Sequence, residues 1–367
     1  CVHKLPEDNL ENFYINRFGR VLYSMFFEKY TEKLWGRHPR EISADWGAQR
    51  VKGLSITAVI KDVFKKILPK KKDGEVETSL IEEYVYPKFG SGQLWEAVAD
   101  DIVKMGGTIV KNSEVKYINT EKGKIKSVVC LEKGQEKVYE GDIFMSSMPV
   151  NDLIAGIKGS DIPDIVAKSA ADLPFRDFVT VGLLLNKLNL KNKTKIKTLN
   201  NIVPDCWIYV QDTGVKLGRI QIFNNWSPYM VEKPDENVWI GLEYFCREGD
   251  EFWNMSDEEC INMAINELVS MDVIDRNDVI DSHRERIQKA YPAYFDGYDN
   301  MDKIIDYLNT FDNLFCVGRN GQHRYNNMDH SMVTSFEAVK DIINDIHDKT
   351  NVWNVNTDKE YHETKEQ

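Results

Sequence analysis

The sequence predicts a mixed α/β fold, and three observations predict it. Apolar and aromatic residues recur at helical spacing between 9 and 35. A helix and then a meander of short strands, separated by "EKGK" and "EKGQ" turns, fill 86–150. Finally, an apolar strand, "NLFCVGR" (313–319), runs through a glycine-containing turn into a helix opening near Asn327.

Taken in order, "NLENFYINRFGRVLYSMFFEKYTEKLW" (9–35) reads as one or two buried helices. Ser43 in "EISADW" is a candidate N-cap for the next helix, through "GAQRVKGLS". The Lys-rich "KKILPKKKDG" (65–74) reads as a solvated loop. Ser91 and Gly92 open a helix whose face of Leu94, Trp95, Val98, Ile102 and Met105 should meet a core, and Gly106-Gly107 stop it. "TIVKNSEVKYI", "KIKSVVCLE" and "KVYEGDIFMSSMP" are the meander strands. After 150, "FVTVGLLLN", "CWIYVQ", "GRIQIFNNW" and "VWIGLEYF" read as strands of an antiparallel or mixed sheet. "SDEECINMAINELVS" (256–270) carries a capping box, Ser256 and Glu259, with Ile261, Ala264, Ile265, Leu268 and Val269 as its stripe. The last helix is expected to bury Met332, Phe336, Val339 and Ile343, and the polar tail beyond about 350 to fray.

Composition bounds the function. With 42% hydrophobic residues the chain can build a sizeable core, and a net charge of −12 argues against a general nucleic-acid binder, which needs positive surface. Six scattered cysteines without a C-x-x-C pair suit free thiols in a reducing cytoplasm. No apolar run reaches the roughly 18 residues of a spanning segment. No His/Cys spacing suits zinc, "DGYDNMD" (296–302) lacks the alternating carboxylates of a calcium loop, and there is no G-x-S-x-G.

The stretch that carries chemistry is "FCVGRNGQHRYNNMDHSM" (315–332). A helix N-terminus presents N–H groups and about half a positive charge, and Gly318 and Gly321 let backbone approach a ligand closely. A flavin, whose reduced ring is anionic at one edge, suits that position; an ordinary strand–turn–helix with glycines chosen for the turns is the alternative reading.

That stretch resembles the C-terminal FAD signature of the FAD-dependent amine oxidase superfamily, nearest in form to the UDP-galactopyranose mutases. "YTEKLWGRHPREISADWGAQRVKGLS" (30–55), "YPKFGSGQLWEAVADDIVKMGGTIVKNSEV" (86–115), "GDIFMSSMP", "NNWSPYM" and "KAYPAY" resemble a bacterial, protoporphyrinogen oxidase-like group linked to surface polysaccharide genes. The resemblance spans about 9–346. It implies an incomplete FAD-binding Rossmann-like domain with an inserted substrate domain of mixed or antiparallel sheet plus helices. The divisions expected are 1–85 (helical part of the substrate domain), 86–150 (remainder of the FAD-binding domain), 151–310 (substrate domain sheet and helix), 311–347 (C-terminal FAD-binding strand and helix) and a tail at 348–367.

The same resemblance implies roles. Val115 would lie against the adenosine of FAD through backbone contacts, and Ser146, Ser147 and Pro149 would mark a strand end beside the cofactor. Gly318 and Arg319 would sit by pyrophosphate and flavin, and the amides of Met328 and Asp329 would address the pyrimidine edge. Tyr325 matches the tyrosine that reaches a sugar-nucleotide diphosphate in the mutases, whereas Asn327 replaces their Asp. Arg176, Tyr291 and Tyr294 are substrate-side candidates; Arg176 could equally pair with Asp177 or Asp172, and the tyrosines could be core aromatics.

The sequence departs from this family in one large respect: no G-x-G-x-x-G turn, which would grip the pyrophosphate, occurs in it. The chain starts at Cys1, so on the order of 100 further residues are expected ahead of it in an intact protein, and the chain alone should hold FAD weakly. The expected function is hydride transfer from a small-molecule substrate to flavin. The alternatives are a mutase-like isomerase acting on a nucleotide sugar and a cofactor-less interaction module.

Overall fold

The computed structural model describes residues 4–50, 76–77, 85–356 and 362–363. The Lys-rich loop and the helical stretch past Arg50 lie outside the described residues.

Helix α1 (Leu10–Leu22) is capped by the Asn9 side chain, which accepts from the Asn12 amide. Gly19, at φ 82°, breaks its regularity, and a π-turn (Tyr23–Phe27) leads into α2 (Glu28–Trp35). Gly36 ends α2 in the left-handed conformation that glycine adopts without strain. With α3 (Ala44–Arg50), these helices bury Phe13, Tyr14, Trp35 and Trp46 in an aromatic cluster shared with Tyr291, Tyr294 and Tyr325.

Helix α4 (Gly92–Lys104) forms where its periodicity predicts, but the expected burial does not occur: no residue of it is buried. Leu94, Trp95, Val98 and Ile102 are about 40% exposed and Met105 80% exposed, so this face is at most partly covered. The following "TIV" (108–110) is likewise not a strand, for want of a partner, and the meander starts at Ser113.

The meander is antiparallel: β1 (Ser113–Glu121), β2 (Lys124–Glu132) and β3 (Gln135–Glu140). Its last expected strand splits at Gly141, and β4 (Phe144–Ser146) leaves to pair elsewhere. Helix α5 (Val150–Gly156) returns through β5 (Ile157–Lys158), parallel to β1, to α6 (Asp164–Ala171). Their apolar faces share one core with α8 (Met301–Leu308) and Leu314, so residues 150–171 and 301–311 pack with the meander.

The large sheet contains β6 (Phe175–Leu185), β7 (Trp207–Tyr209), β8 (Arg219–Ile222), β9 (Val238–Cys246) and β10 (Val279–Pro292), in the order β10-β6-β9-β8-β7 with every pairing antiparallel. One face buries Val181, Leu183, Ile220, Ile240 and Leu242 against Cys260, Ala264 and Leu268 of α7 (Asp257–Ser270). The Ser256–Glu259 capping box of α7 is present, and of its expected stripe Ala264, Ile265 and Leu268 are buried, Ile261 is half-buried and Val269 is exposed. Strand β10 was not expected. It is an edge strand, and its charged run "DSHRERIQK" hides the alternation while keeping that edge from pairing with another chain. Arg284 and Arg286 are held there by the carbonyls of Trp253 and Met255.

Strand β11 (Leu314–Cys316) lies parallel to β4, and a helical turn (Gly318–Gly321) connects it toward α9 (Met328–Ile343). Helix α9 buries Thr334, Ala338 and Asp341; Phe336, Val339 and Ile343, expected in the core, face outward. The stretch after 350 is packed as far as 356, contrary to the expected fraying: Val352 and Trp353 are buried, and the Val352 carbonyl accepts from Gln322 Nε2 at 2.7 Å.

Candidate functional site

Alternation along β8 and β9 sends Ile220, Ile222, Leu242 and Tyr244 to the α7 side and Arg219, Gln221, Glu243 and Phe245 to the other. Arg219 and Glu243 are directly opposite in register. Their side chains meet at 2.7 Å, both about 95% buried, and Gln221 Nε2 donates to the second Glu243 oxygen at 2.6 Å. Arg219 Nη2 also donates to the Tyr291 hydroxyl at 2.8 Å, and its guanidinium lies near the rings of Trp207 and Phe245. Burial raises the Glu243 carboxyl, Arg219 opposes that rise, and the guanidinium keeps its charge at any ordinary pH. Tyr30 reaches the same neighbourhood from α2; its hydroxyl has no hydrogen-bond partner among the described residues, and burial pushes its pKa up.

Tyr291 is the joint between this pair and the 318–327 loop. Its ring stacks on Tyr325 at 5.5 Å and 13°. Trp46 meets Tyr325 edge-on at 6.0 Å, and the Tyr294 hydroxyl oxygen accepts from the Tyr325 amide at 2.7 Å. Arg319 lies 5.5 and 5.1 Å from the Tyr291 and Tyr325 ring centres. Its Nε donates to the Asn326 carbonyl at 2.7 Å and its Nη1 to the Ala290 carbonyl at 3.0 Å, and Nη2 makes neither bond. Burial pushes the Tyr291 hydroxyl up to about 12, so it stays protonated and able to donate.

A second wall adjoins it. Gly318 has φ 75°, and its amide donates to Thr334 Oγ1 at 2.8 Å, tying the turn to α9. A Cβ on Gly318 would find nothing nearer than Ser147 Cβ at 3.8 Å. At Gly321 a Cβ would sit 2.5 Å from the Ser146 carbonyl oxygen. The Ser146 hydroxyl is buried without a hydrogen-bond partner among the described residues. Helix α9 opens at Asn327, which is exposed and in extended conformation, and its amide donates to His330 Nδ1 at 3.3 Å. The first intrahelical bond is made by the Ser331 amide, so Met328 and Asp329 lie in the first turn of the helix.

The structure therefore brings Tyr291, Tyr294, Tyr325 and Arg319 together, and places Ser146, Gly318, Gly321, Asn327, Met328 and Asp329 along the adjoining strand-to-helix passage. Val115 lies on β1, half-buried against the core that also holds Cys316. Arg176 is tied to backbone: its Nε donates to the Leu34 carbonyl at 2.7 Å and its Nη2 to the Phe245 carbonyl at 3.2 Å. Those bonds replace the ion pair open to it, since Asp177 accepts instead from the Glu248 and Lys289 amides. Sequence reasoning missed Arg219, Glu243, Tyr30 and Trp46. The signal for two of them was present, because "GRIQIF" and "IGLEYF" each carry a charge inside an otherwise apolar strand. Among the thiols, burial pushes Cys246 and Cys316 up to about 12, so neither of these two is a thiolate at neutral pH. No group of three or more metal-ligating side chains occurs among the described residues, and none of their helices is long and apolar enough to cross a membrane.

His323, 1% exposed beneath the loop, gives a pH prediction. Burial lowers its pKa to about 4 from 6.5, while its Nε2–H bond to the Ala293 carbonyl works in the opposite direction. Its folded value is the lower one, so the unfolded chain binds the extra proton as pH falls from 6.5 toward 4, and stability falls with it. The expected loss is about 3 kcal/mol across that window. Urea titrations at pH 7 and pH 4.5 check this: His323→Gln should be markedly less acid-sensitive, and an unchanged pH slope would refute the assignment.

No protein-family model matches the chain, and no curated protein matches it in sequence. Solved structures do match in fold. A crystal structure of reduced UDP-galactopyranose mutase superposes with a TM-score of 0.71 at 18% identity, covering 96% of this chain and 72% of that one. A provisionally assigned protoporphyrinogen oxidase from Exiguobacterium sp. 255-15 gives 0.58 at 12% identity, covering 87% and 64%. An oxidoreductase from Methanosarcina mazei gives 0.55 at 14%, covering 86% and 63%. The chain thus spans less than two thirds of the last two. At these identities the likeness is one of architecture: this chain has a mixed helix-and-sheet fold like that of UDP-galactopyranose mutase.

Proposed function

We propose that this chain carries the flavin-facing wall and the substrate pocket of a FAD-dependent oxidoreductase of the amine oxidase superfamily. The observation that supports this most is the passage from β11 through Gly318 to the open N-terminus of α9, beside the orphaned Ser146 hydroxyl. These features fit a flavin. A donor lacking a partner among the described residues, a left-handed glycine whose Cβ position meets nothing nearer than 3.8 Å, and a helix end suited to negative charge converge on one passage. Ser146, Gly318, Arg319 and the amides of Met328 and Asp329 would hold the group. Hydride acceptance is the chemistry that FAD supplies when bound.

The remaining work belongs to the chain's own side chains. The helix end favours negative charge at the edge of the ring. The stacked Tyr291 and Tyr325 present flat faces against which a substrate can be oriented, and the Tyr291 hydroxyl is fixed by Arg219. The buried Arg219–Glu243 pair holds that arrangement rigid and dry. Arg319 joins the two walls, and its Nη2 is the group positioned to meet an anionic oxygen. Arg319→Ala should therefore lower flavin occupancy of the intact protein several-fold, read from the absorbance ratio of flavin to protein; unchanged occupancy would mean that the cofactor lies elsewhere.

A second reading, a flavin-dependent isomerase acting on a nucleotide sugar, draws support from the fold likeness to the mutase and from Tyr325 and Arg319. Asn327 counts against it: this residue serves as the α9 N-cap and supplies no carboxylate. Incubation of the reduced intact protein with UDP-galactopyranose discriminates, since a furanose product would select the isomerase. A protein purified with no flavin under any condition would favour an interaction module instead.

A further inference from the structure

The stretch 349–356, a single helical turn (Thr350–Trp353) with its flanks, lies against the loop that carries Arg319 and Tyr325. Asn356 is 9% exposed, and its Nδ2 donates to Asn326 Oδ1 at 2.9 Å and to the Tyr325 carbonyl at 3.3 Å. The Asn326 carbonyl in turn accepts from Arg319 Nε at 2.7 Å. One carboxamide thus meets both the residue bearing the stacked ring and the residue that orients the guanidinium. Tyr325 is gripped at both ends of its backbone, since its amide donates to the Tyr294 hydroxyl oxygen at 2.7 Å. The stretch is itself anchored. Lys349, which is buried, donates to the Phe311 carbonyl at 2.7 Å ahead of β11, and Asn351 Nδ2 donates to Asp341 Oδ1 on α9 at 3.0 Å.

The loop needs such a grip. His323, buried within it, has a φ of 45°, in the left-handed region that strains an L residue. Asn320 Oδ1, Gln322 Oε1 and Asn326 Nδ2 are buried without a hydrogen-bond partner among the described residues. The opposite ends of these side chains are the bonded ones: Asn320 to the Lys289 carbonyl, Gln322 to the Cys316 and Val352 carbonyls, and Asn326 to Asn356. A strained loop with half-satisfied polar side chains keeps one conformation only where its surroundings over-determine it. Two of the three side chains find that support in the 349–356 stretch.

We propose that Asn356 is a positioning residue: it sets the pose of Tyr325 and Arg319 from behind, and its loss frees the loop while the large sheet stays folded. The consequence for cofactor binding rests on the flavin reading; the clamp rests on the hydrogen bonds alone. A purely structural role predicts something different, a loss of stability spread evenly with no preference for the loop.

The test is backbone hydrogen exchange on this chain, comparing the parent with Asn356→Leu, which keeps the bulk of the side chain and removes both donors. Exchange at the amides of 324–327 should quicken about tenfold, as expected for the loss of one or two buried hydrogen bonds, with β6 and β9 unchanged. Asn356→Ser, too short to reach either acceptor, should give the same loop-confined change and serves where leucine is not tolerated. Unchanged exchange at 324–327, or a rise shared equally by β6 and β9, would overturn the proposal. FAD titration of the intact protein is the second arm, and Asn356→Leu should weaken binding several-fold. A loosened loop with unaltered FAD affinity would uphold the clamp and overturn the flavin reading, in which Arg319 holds the group.

Discussion

Glu243→Ala should destabilise the chain by about 3–5 kcal/mol, because it leaves the Arg219 guanidinium charged and 4% exposed with no counter-ion. The neighbouring Trp207, Phe245 and Tyr291 rings offset little of that loss; cation–π contacts contribute about 0.5–2 kcal/mol each. Among the described residues Arg219 pairs with no other carboxylate, and the Gln221 amide that served Glu243 loses its acceptor as well. The double variant Arg219→Met/Glu243→Leu should recover most of the stability, since an apolar pair of similar volume avoids both desolvation costs. It should not recover catalysis in the intact protein, because the Tyr291 hydroxyl would then have lost the donor that fixes it. Urea denaturation of the two variants separates these effects. A cost below about 1 kcal/mol for Glu243→Ala would show that Arg219 reaches water and that the pocket is open at its base.

Gly321→Ala is the second large effect. Its Cβ would meet the Ser146 carbonyl oxygen at 2.5 Å and Ser147 Cα at 3.2 Å, and these are backbone atoms that cannot rotate away. Overpacking of this kind costs about 1–3 kcal/mol and would drive the 318–321 turn off the end of β4. Gly318→Ala makes the informative contrast. There the added Cβ would make only an ordinary 3.8 Å contact with Ser147 Cβ, and the cost is conformational, about 1–2 kcal/mol for a φ of 75°. If both glycines serve the flavin passage, both variants should lose flavin, Gly321→Ala with the larger stability loss. Equal urea midpoints for Gly321→Ala and the parent chain would contradict the close approach of the two strands' ends.

The parts of the fold legible in the sequence are those set by local rules. The α7 capping box, the Gly106-Gly107 stop after α4, the meander turns and the opening of α9 at Asn327 are each written in a few neighbouring residues. What was misread depends on partners far along the chain. Strand β10 looks like a charged loop until its edge position is known. The stripes of α4 and α9 look like core faces because periodicity records that a face is apolar, without recording what covers it. The site divides the same way. The Gly318–Asn327 passage was visible as a strand-to-helix turn. The Arg219–Glu243 pair needed the register of β8 against β9, which no spacing within either strand encodes. Arg176 shows the converse: a guanidinium in a promising place whose bonds turn out to close off the carbonyl end of α2.

On the proposed function, flavin lies against the Gly318 turn and the first turn of α9. Backbone hydrogen exchange with and without saturating FAD tests it most directly, on the intact protein and on this chain at high FAD concentration. The account predicts slowed exchange at the amides of 318–321 and 328–331, with the α7 side of the large sheet unchanged and the protection lost in Arg319→Ala. Bound flavin that leaves those amides exchanging at their original rates would contradict it.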